Sequence, residues 1–190
     1  MSRAPLRVGP LRPGPASMGR RRVLTAGAGL LLTPMGASPG LAAGAAGARE
    51  SAARRLVLRS VVTGEELDVQ FHDDQRHVPA AMARIAYLLR DAGTGECHAV
   101  DPKLLDDLHH LARAFAVEPY FSVMAGFRSP QPGQARSLHS LGRAADVRLR
   151  GVDVKDLAER ALALNCGGVG YYRRCAFVHL DTGSRRSWNG

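Results

Sequence analysis

Apolar residues in this chain recur at two spacings, every second position and every third or fourth, and the changes of spacing mark out its elements. Leu56 to Val62 is a β-branched run stopped by Thr63-Gly64-Glu65, and Glu66 to Phe71 then sets Leu67, Val69 and Phe71 on one side. Two such runs across a turn signal predict a hairpin. From Pro79 to Asp91 the spacing becomes helical, with Met82, Ile85, Tyr87, Leu88 and Leu89 apolar and Pro79 suited to the first turn. Asp101-Pro102 opens a second helix by the same logic, its stripe made of Leu104, Leu105, Leu108, Leu111 and Phe115. Tyr120 to Ala125 reads as a strand that delivers Arg128 to a loop, and Gln131 to Ser137 is polar and turn-prone. Ala144 to Leu149 alternates around Asp146, Val154 to Leu164 is a third helical stretch, and 167–172 and 176–180 form two strands across an Arg173-Arg174 turn. The order predicts an α+β domain: a small, mostly antiparallel sheet with flanking helices.

Composition changes this picture at one end only. With 45% hydrophobic and 23% charged residues the chain is not broadly disordered. Its net charge of +9 is concentrated: residues 1–48 hold six arginines and no acidic residue, leaving 20 Lys/Arg against 17 Asp/Glu beyond them. A mildly basic remainder argues against a nucleic-acid partner, which needs a clustered basic face. The basic end has the build of an export signal. Paired arginines at 20–22 precede an apolar run from Val23 to Leu32, and Ala43-Gly44-Ala45 and Ala46-Gly47-Ala48 both suit cleavage. That run is far shorter than the roughly 20 residues that span a bilayer, so no permanent membrane helix is expected there. Residues 1–48 therefore read as a removable, twin-arginine-like signal, which implies a periplasmic or extracytoplasmic protein, and 49–190 as the working domain. The cysteines Cys97, Cys166 and Cys175 are too few for a disulfide scaffold and form no C-x-x-C pair, though Cys166 and Cys175 flank one hairpin.

Three side chains suggest chemistry. His139 lies seven residues before Asp146, and His179 sits in the strand-like run Phe177-Val178-His179-Leu180-Asp181. Two imidazoles and a carboxylate suit zinc with one coordination position open, as a hydrolase requires. Strand alternation puts His179 and Asp181 on one face and Val178 and Leu180 on the other. The remaining histidines, His72, His77, His98, His109 and His110, read as solvated or helix-borne and take no role.

Ser137 to Asp146 meets every fixed position of the S-x-H-x-x-G-x-A-x-D motif and so resembles the D-Ala-D-Ala metallopeptidases of the hedgehog/D-Ala-D-Ala peptidase fold. Gly126-Phe127-Arg128-Ser129-Pro130 is similar to the G-Y-R-S-P segment of that family. Gly167 to Tyr172, Phe177 to Gly183 and Trp188 resemble its YcbK-like branch of murein endopeptidases. Taken together these motifs are specific, whereas each alone is weak. The resemblance implies zinc held by His139, Asp146 and His179, with peptidoglycan stem peptides as substrate. It implies that Arg128 faces the scissile carbonyl and that Ser137 hydrogen-bonds substrate near the metal, although a turn hydroxyl is an equal reading for Ser137. Gly142 and Ala144 would keep the backbone close beside the metal.

Two departures matter. Where the dipeptidase branch of the family has a glutamate base three residues before the last histidine, this chain has Ala176. Asp181 is then the nearest replacement, as a catalytic base, a fourth ligand or a carboxylate that orients His179. The loop Gln131-Pro132-Gly133-Gln134 also lacks the asparagine usual there. The expected activity is hydrolysis of stem-peptide cross-links during wall remodelling. A D,D-carboxypeptidase and an inactive, zinc-stabilised wall-binding module stand as alternatives.

Overall fold

A computed structural model of the chain describes residues 53–132 and 137–190. Residues 1–48, read above as an export signal, lie outside the described residues, as do Gly133 and Gln134 of the divergent loop. The elements run β1 (Arg54–Ser60), β2 (Glu66–His72), α1 (Pro79–Leu88), α2 (Pro102–Ala114), β3 (Tyr120–Ala125), β4 (Ala144–Leu149), α3 (Val154–Ala163), β5 (Gly168–Tyr172), β6 (Phe177–Asp181) and β7 (Arg186–Asn189). The seven strands join in one sheet of order β2-β1-β3-β4-β6-β5-β7.

The α+β class holds, but the sheet is larger and more mixed than the sequence suggests. Four strand pairs are antiparallel, whereas β1 runs parallel to β3 and β5 parallel to β7. The parallel β1–β3 pair follows from its connection: two helices lie between β3 and the β1–β2 hairpin, long enough for a crossover. β7 has no apolar alternation to announce it, since Arg186-Ser187-Trp188-Asn189 forms an exposed edge held by β5. Helix α1 stops at Leu88, short of Asp91, because Leu89 caps it and the Asp91 carboxylate organises a turn through the Gly93 and Thr94 amides. The second and third helices start as expected, with Asp101 and Asp153 each accepting from the amide two residues on.

Alternation divides the sheet's two faces. Leu56, Leu58, Phe121, Val147, Val178 and Leu180 have no exposed surface and join the helical stripes of Leu104, Leu108, Leu111 and Leu157 in a single core. Each such side chain is worth about 1.5–3 kcal/mol of burial. The same strands turn Asp146, His179 and Asp181 to the opposite face. All three cysteines are free. Cys166 precedes β5 and Cys175 follows it, so the strand holds them apart; burial pushes the Cys166 thiol up to about 12.

Candidate metal centre

The site is assembled from rows of residues that cross the sheet. Asp146 on β4 is level with His179 on β6, His179 with Gly170 on β5, and Gly170 with Trp188 on β7. A second row runs Ala144, Asp181, Gly168 and Arg186. Neither row was visible in the sequence, because pairing between strands far apart in the chain is a tertiary decision. His139 comes from elsewhere: it opens a single 3-10 turn, His139–Leu141, that ends in Gly142 at φ +66°. A side chain at Gly142 would strike the Ala99 carbonyl, and the Gly142 carbonyl itself accepts from the Asp101 amide at 2.9 Å. That close approach seats the turn against the start of α2.

Three atoms converge: His139 Nε2 and His179 Nδ1 lie 3.1 Å apart, His179 Nδ1 is 2.9 Å from Asp146 Oδ1, and His139 Nε2 is 3.4 Å from that oxygen. The outer hydrogen bonds define which nitrogens carry protons. His139 Nδ1 donates to the Gly126 carbonyl at 2.7 Å, and His179 Nε2 donates to Asp181 Oδ2 at 3.0 Å. In the neutral imidazoles the two inward nitrogens are therefore lone-pair atoms. Three acceptors at this separation repel one another unless a cation or a proton lies among them. A zinc ion bound at about 2.0–2.1 Å holds tetrahedral ligands about 3.3–3.4 Å apart, close to the sides of this triangle. Among the described residues, this is the group of His, Cys, Asp or Glu side chains close enough together to hold a metal. The donor set thus fits zinc, and both imidazoles have the outward hydrogen bond that metal-ligating histidines require.

Burial alone would push the Asp146 carboxyl up, but where a proton and not a metal lies among the three atoms, hydrogen bonding from His139 and His179 outweighs burial and holds the carboxyl well below the usual carboxylate range. The other Asp146 oxygen accepts from Arg128 at 2.8 Å. Arg128 is more than half exposed and stands at the edge of a cleft of about 450 Å³, lined also by Asp91, Gln131, Ser137 and Ser140. Its loop is tied down nearby: the Ser129 amide donates to Asp91 Oδ2 at 2.7 Å and the Thr94 and Ser129 hydroxyls meet at 2.7 Å. The Ser137 hydroxyl accepts from the Ser140 amide at 3.3 Å, and the residue lines the same cleft as Arg128.

Asp181 lies behind His179, on the imidazole's outer nitrogen, with no exposed surface. Its Oδ1 accepts from the amides of Gly183 at 2.8 Å and Gly168 at 3.2 Å and from Arg186 Nη1 at 3.1 Å. Its Oδ2 accepts from Arg186 Nη2 at 2.6 Å as well as from His179. Burial raises this carboxyl, but Arg186, then the Gly183 amide and His179, bring it below the ordinary value. Ala176 sits at φ +53° in the turn between β5 and β6 and brings no carboxylate. Arg186 and the Gly126 carbonyl went unremarked in the sequence, since neither residue type nor spacing signals a contact across a sheet.

Residues 48–188 match the family model described as peptidoglycan L,D-endopeptidase MepK. The protein of that name in Escherichia coli strain K12 is 30% identical over 145 residues, covering 71% of this chain and 80% of the relative. A Haemophilus influenzae protein named probable peptidoglycan L,D-endopeptidase MepK is 32% identical over 148 residues, covering 72% of this chain and 80% of its own. No solved structure matches the chain. With a family match across nearly all the described residues and relatives at this identity and coverage, the chain belongs to the peptidoglycan L,D-endopeptidase MepK family of murein endopeptidases.

Proposed function

We propose that this protein is an exported, zinc-dependent endopeptidase that hydrolyses L,D-peptide bonds in peptidoglycan stem peptides and their cross-links. The observation that carries the reading is the acceptor triangle of His139, Asp146 and His179 with Arg128 on the outer oxygen of Asp146. Zinc in such a site supplies Lewis acidity toward a carbonyl oxygen and toward water. The chain's own residues do the rest. Arg128 commits one donor to Asp146 and keeps others for the cleft, where its fork suits the charge that develops on a scissile carbonyl oxygen. Ser137 presents its hydroxyl to a substrate amide in the same cleft. Among the three roles open to Asp181, orienting His179 fits best, because a carboxylate with no exposed surface and five donors around it has neither access to water nor a free lone pair in reach of one. The paired arginines at 20–22 and the short apolar run after them support export, which places the protein on the same side of the membrane as its substrate. No helix among the described residues is long and apolar enough to cross a membrane.

The absence of a carboxylate at 176, together with the occupied state of Asp181, favours one competing reading, a zinc-stabilised module that binds wall peptides without cutting them. Mass spectrometry of cross-linked muropeptides incubated with the zinc-loaded protein separates the two. New termini at an L,D bond are the expected result. Intact muropeptides alongside full zinc occupancy would favour the binding module.

A further inference from the structure

We infer that Arg186, on the last strand, is a positioning residue for the metal centre: it reaches across β5 to clamp Asp181 and thereby holds the His179 imidazole with Nδ1 turned to the metal. The inference rests on the zinc reading above for its purpose, and on the geometry for its substance. Arg186 and Asp181 stand in one row, two strand spacings apart, or about 9–10 Å between backbones. An arginine can span that distance only if the intervening residue has no side chain. The intervening residue is Gly168, where a Cβ would collide with both Asp181 Oδ2 and the Arg186 guanidinium. The neighbouring row repeats the device: Gly170 leaves room for the Trp188 indole, whose ring centroid lies 5.2 Å from that of His179. Two glycines on one strand thus let the two side chains of β7 act on β6.

The clamp is two-pronged, with Nη1 on Oδ1 at 3.1 Å and Nη2 on Oδ2 at 2.6 Å, a fork-to-fork pairing that fixes the plane of the carboxylate. Oδ2 is the oxygen that accepts from His179 Nε2, so the plane of Asp181 sets the direction of that bond. Without Arg186, Asp181 would be a buried charge with two backbone amides and one imidazole as its partners, free to rotate or to draw in another donor. The consequence at the metal is a loss of the single tautomer that keeps Nδ1 unprotonated.

The test is Arg186→Met in the full-length chain, with zinc affinity measured by competition against a chromophoric chelator. The tautomer of His179 is read in parallel from nitrogen-15 shifts of the metal-free protein at mildly alkaline pH. The expected result is a fall in zinc affinity of about 10–100-fold and mixed tautomers at His179, with Arg186→Lys retaining more of both than the methionine variant. Unchanged affinity and an unchanged tautomer in a folded Arg186→Met protein would overturn the inference, even if its melting temperature fell. Should that variant not fold, Gly168→Ala displaces the clamp while keeping the arginine, and the same two readouts decide in the same directions. The tautomer readout needs no zinc, so failure of the parent chain to bind zinc would count against the metal reading and leave the clamp separately decided.

Discussion

In the sequence Arg128 and Asp181 are both candidates for the catalytic machinery, Asp181 with a ligand or an orienting role also open to it, and their surroundings separate them. Arg128 is exposed, touches the candidate ligand Asp146 and opens on a cleft; Asp181 is sealed behind an imidazole. A residue that acts on the transition state and one that holds a ligand give different losses. Arg128→Ala is expected to lower the rate of muropeptide cleavage by about 10²–10³-fold, the usual cost of one oxyanion donor. Its zinc content should stay at the parental level, since the arginine is not among the three converging atoms. Metal analysis beside a steady-state assay checks both halves, and a loss of zinc in this variant would show that Arg128 serves the metal site and not the reaction.

At the level of elements, the helices matter to the site by holding the sheet's other face. Val178 and Leu180 on β6 are fully buried against the helical layer, while His179 and Asp181 alternate with them toward the site. A shift of β6 by one residue would exchange the two sets, so core packing secures the register of the ligands. Leu108 on α2 is 1% exposed and central to that layer. Leu108→Ala is expected to destabilise the protein by about 2–5 kcal/mol, measured as a shift of the urea midpoint. Zinc affinity of the folded fraction should change little, because Leu108 belongs to the hydrophobic core on the face of the sheet away from Asp146 and His179.

For the molecule as a whole, the candidate metal centre joins segments that are distant in sequence: the 3-10 turn at 139, β4 and β6, with β7 closing behind. A metal that binds the native arrangement and not the unfolded chain adds RT ln(1 + [L]/Kd) to stability, about 2.7 kcal/mol when free zinc is a hundred times Kd. Removing zinc with a chelator should therefore lower the melting temperature by roughly 5–10 °C for a domain of this size, and adding zinc back should restore it. A melting temperature indifferent to chelation would contradict the metal site itself.

The candidate ligands and the arginine stand out in the chain because they sit in local motifs: His139 and Asp146 within ten residues, His179 in an alternating strand, Arg128 after a strand and before Ser129-Pro130. Hydrophobic periodicity likewise determined all three helices and six of the seven strands, since local burial preference acts within a few residues. Strand order, the two parallel pairings and the edge strand Arg186–Asn189 were decided by long-range packing, which leaves no periodic trace in so short and exposed a segment. The same limit applies to the role of Asp181. Its residue type and its face were set by the sequence, but whether its carboxylate met water or was enclosed by Gly168, Gly183, Arg186 and His179 depended on which strands lay beside it. Only the folded sheet brings those neighbours together, because hydrogen-bonded pairing joins residues that the chain keeps apart.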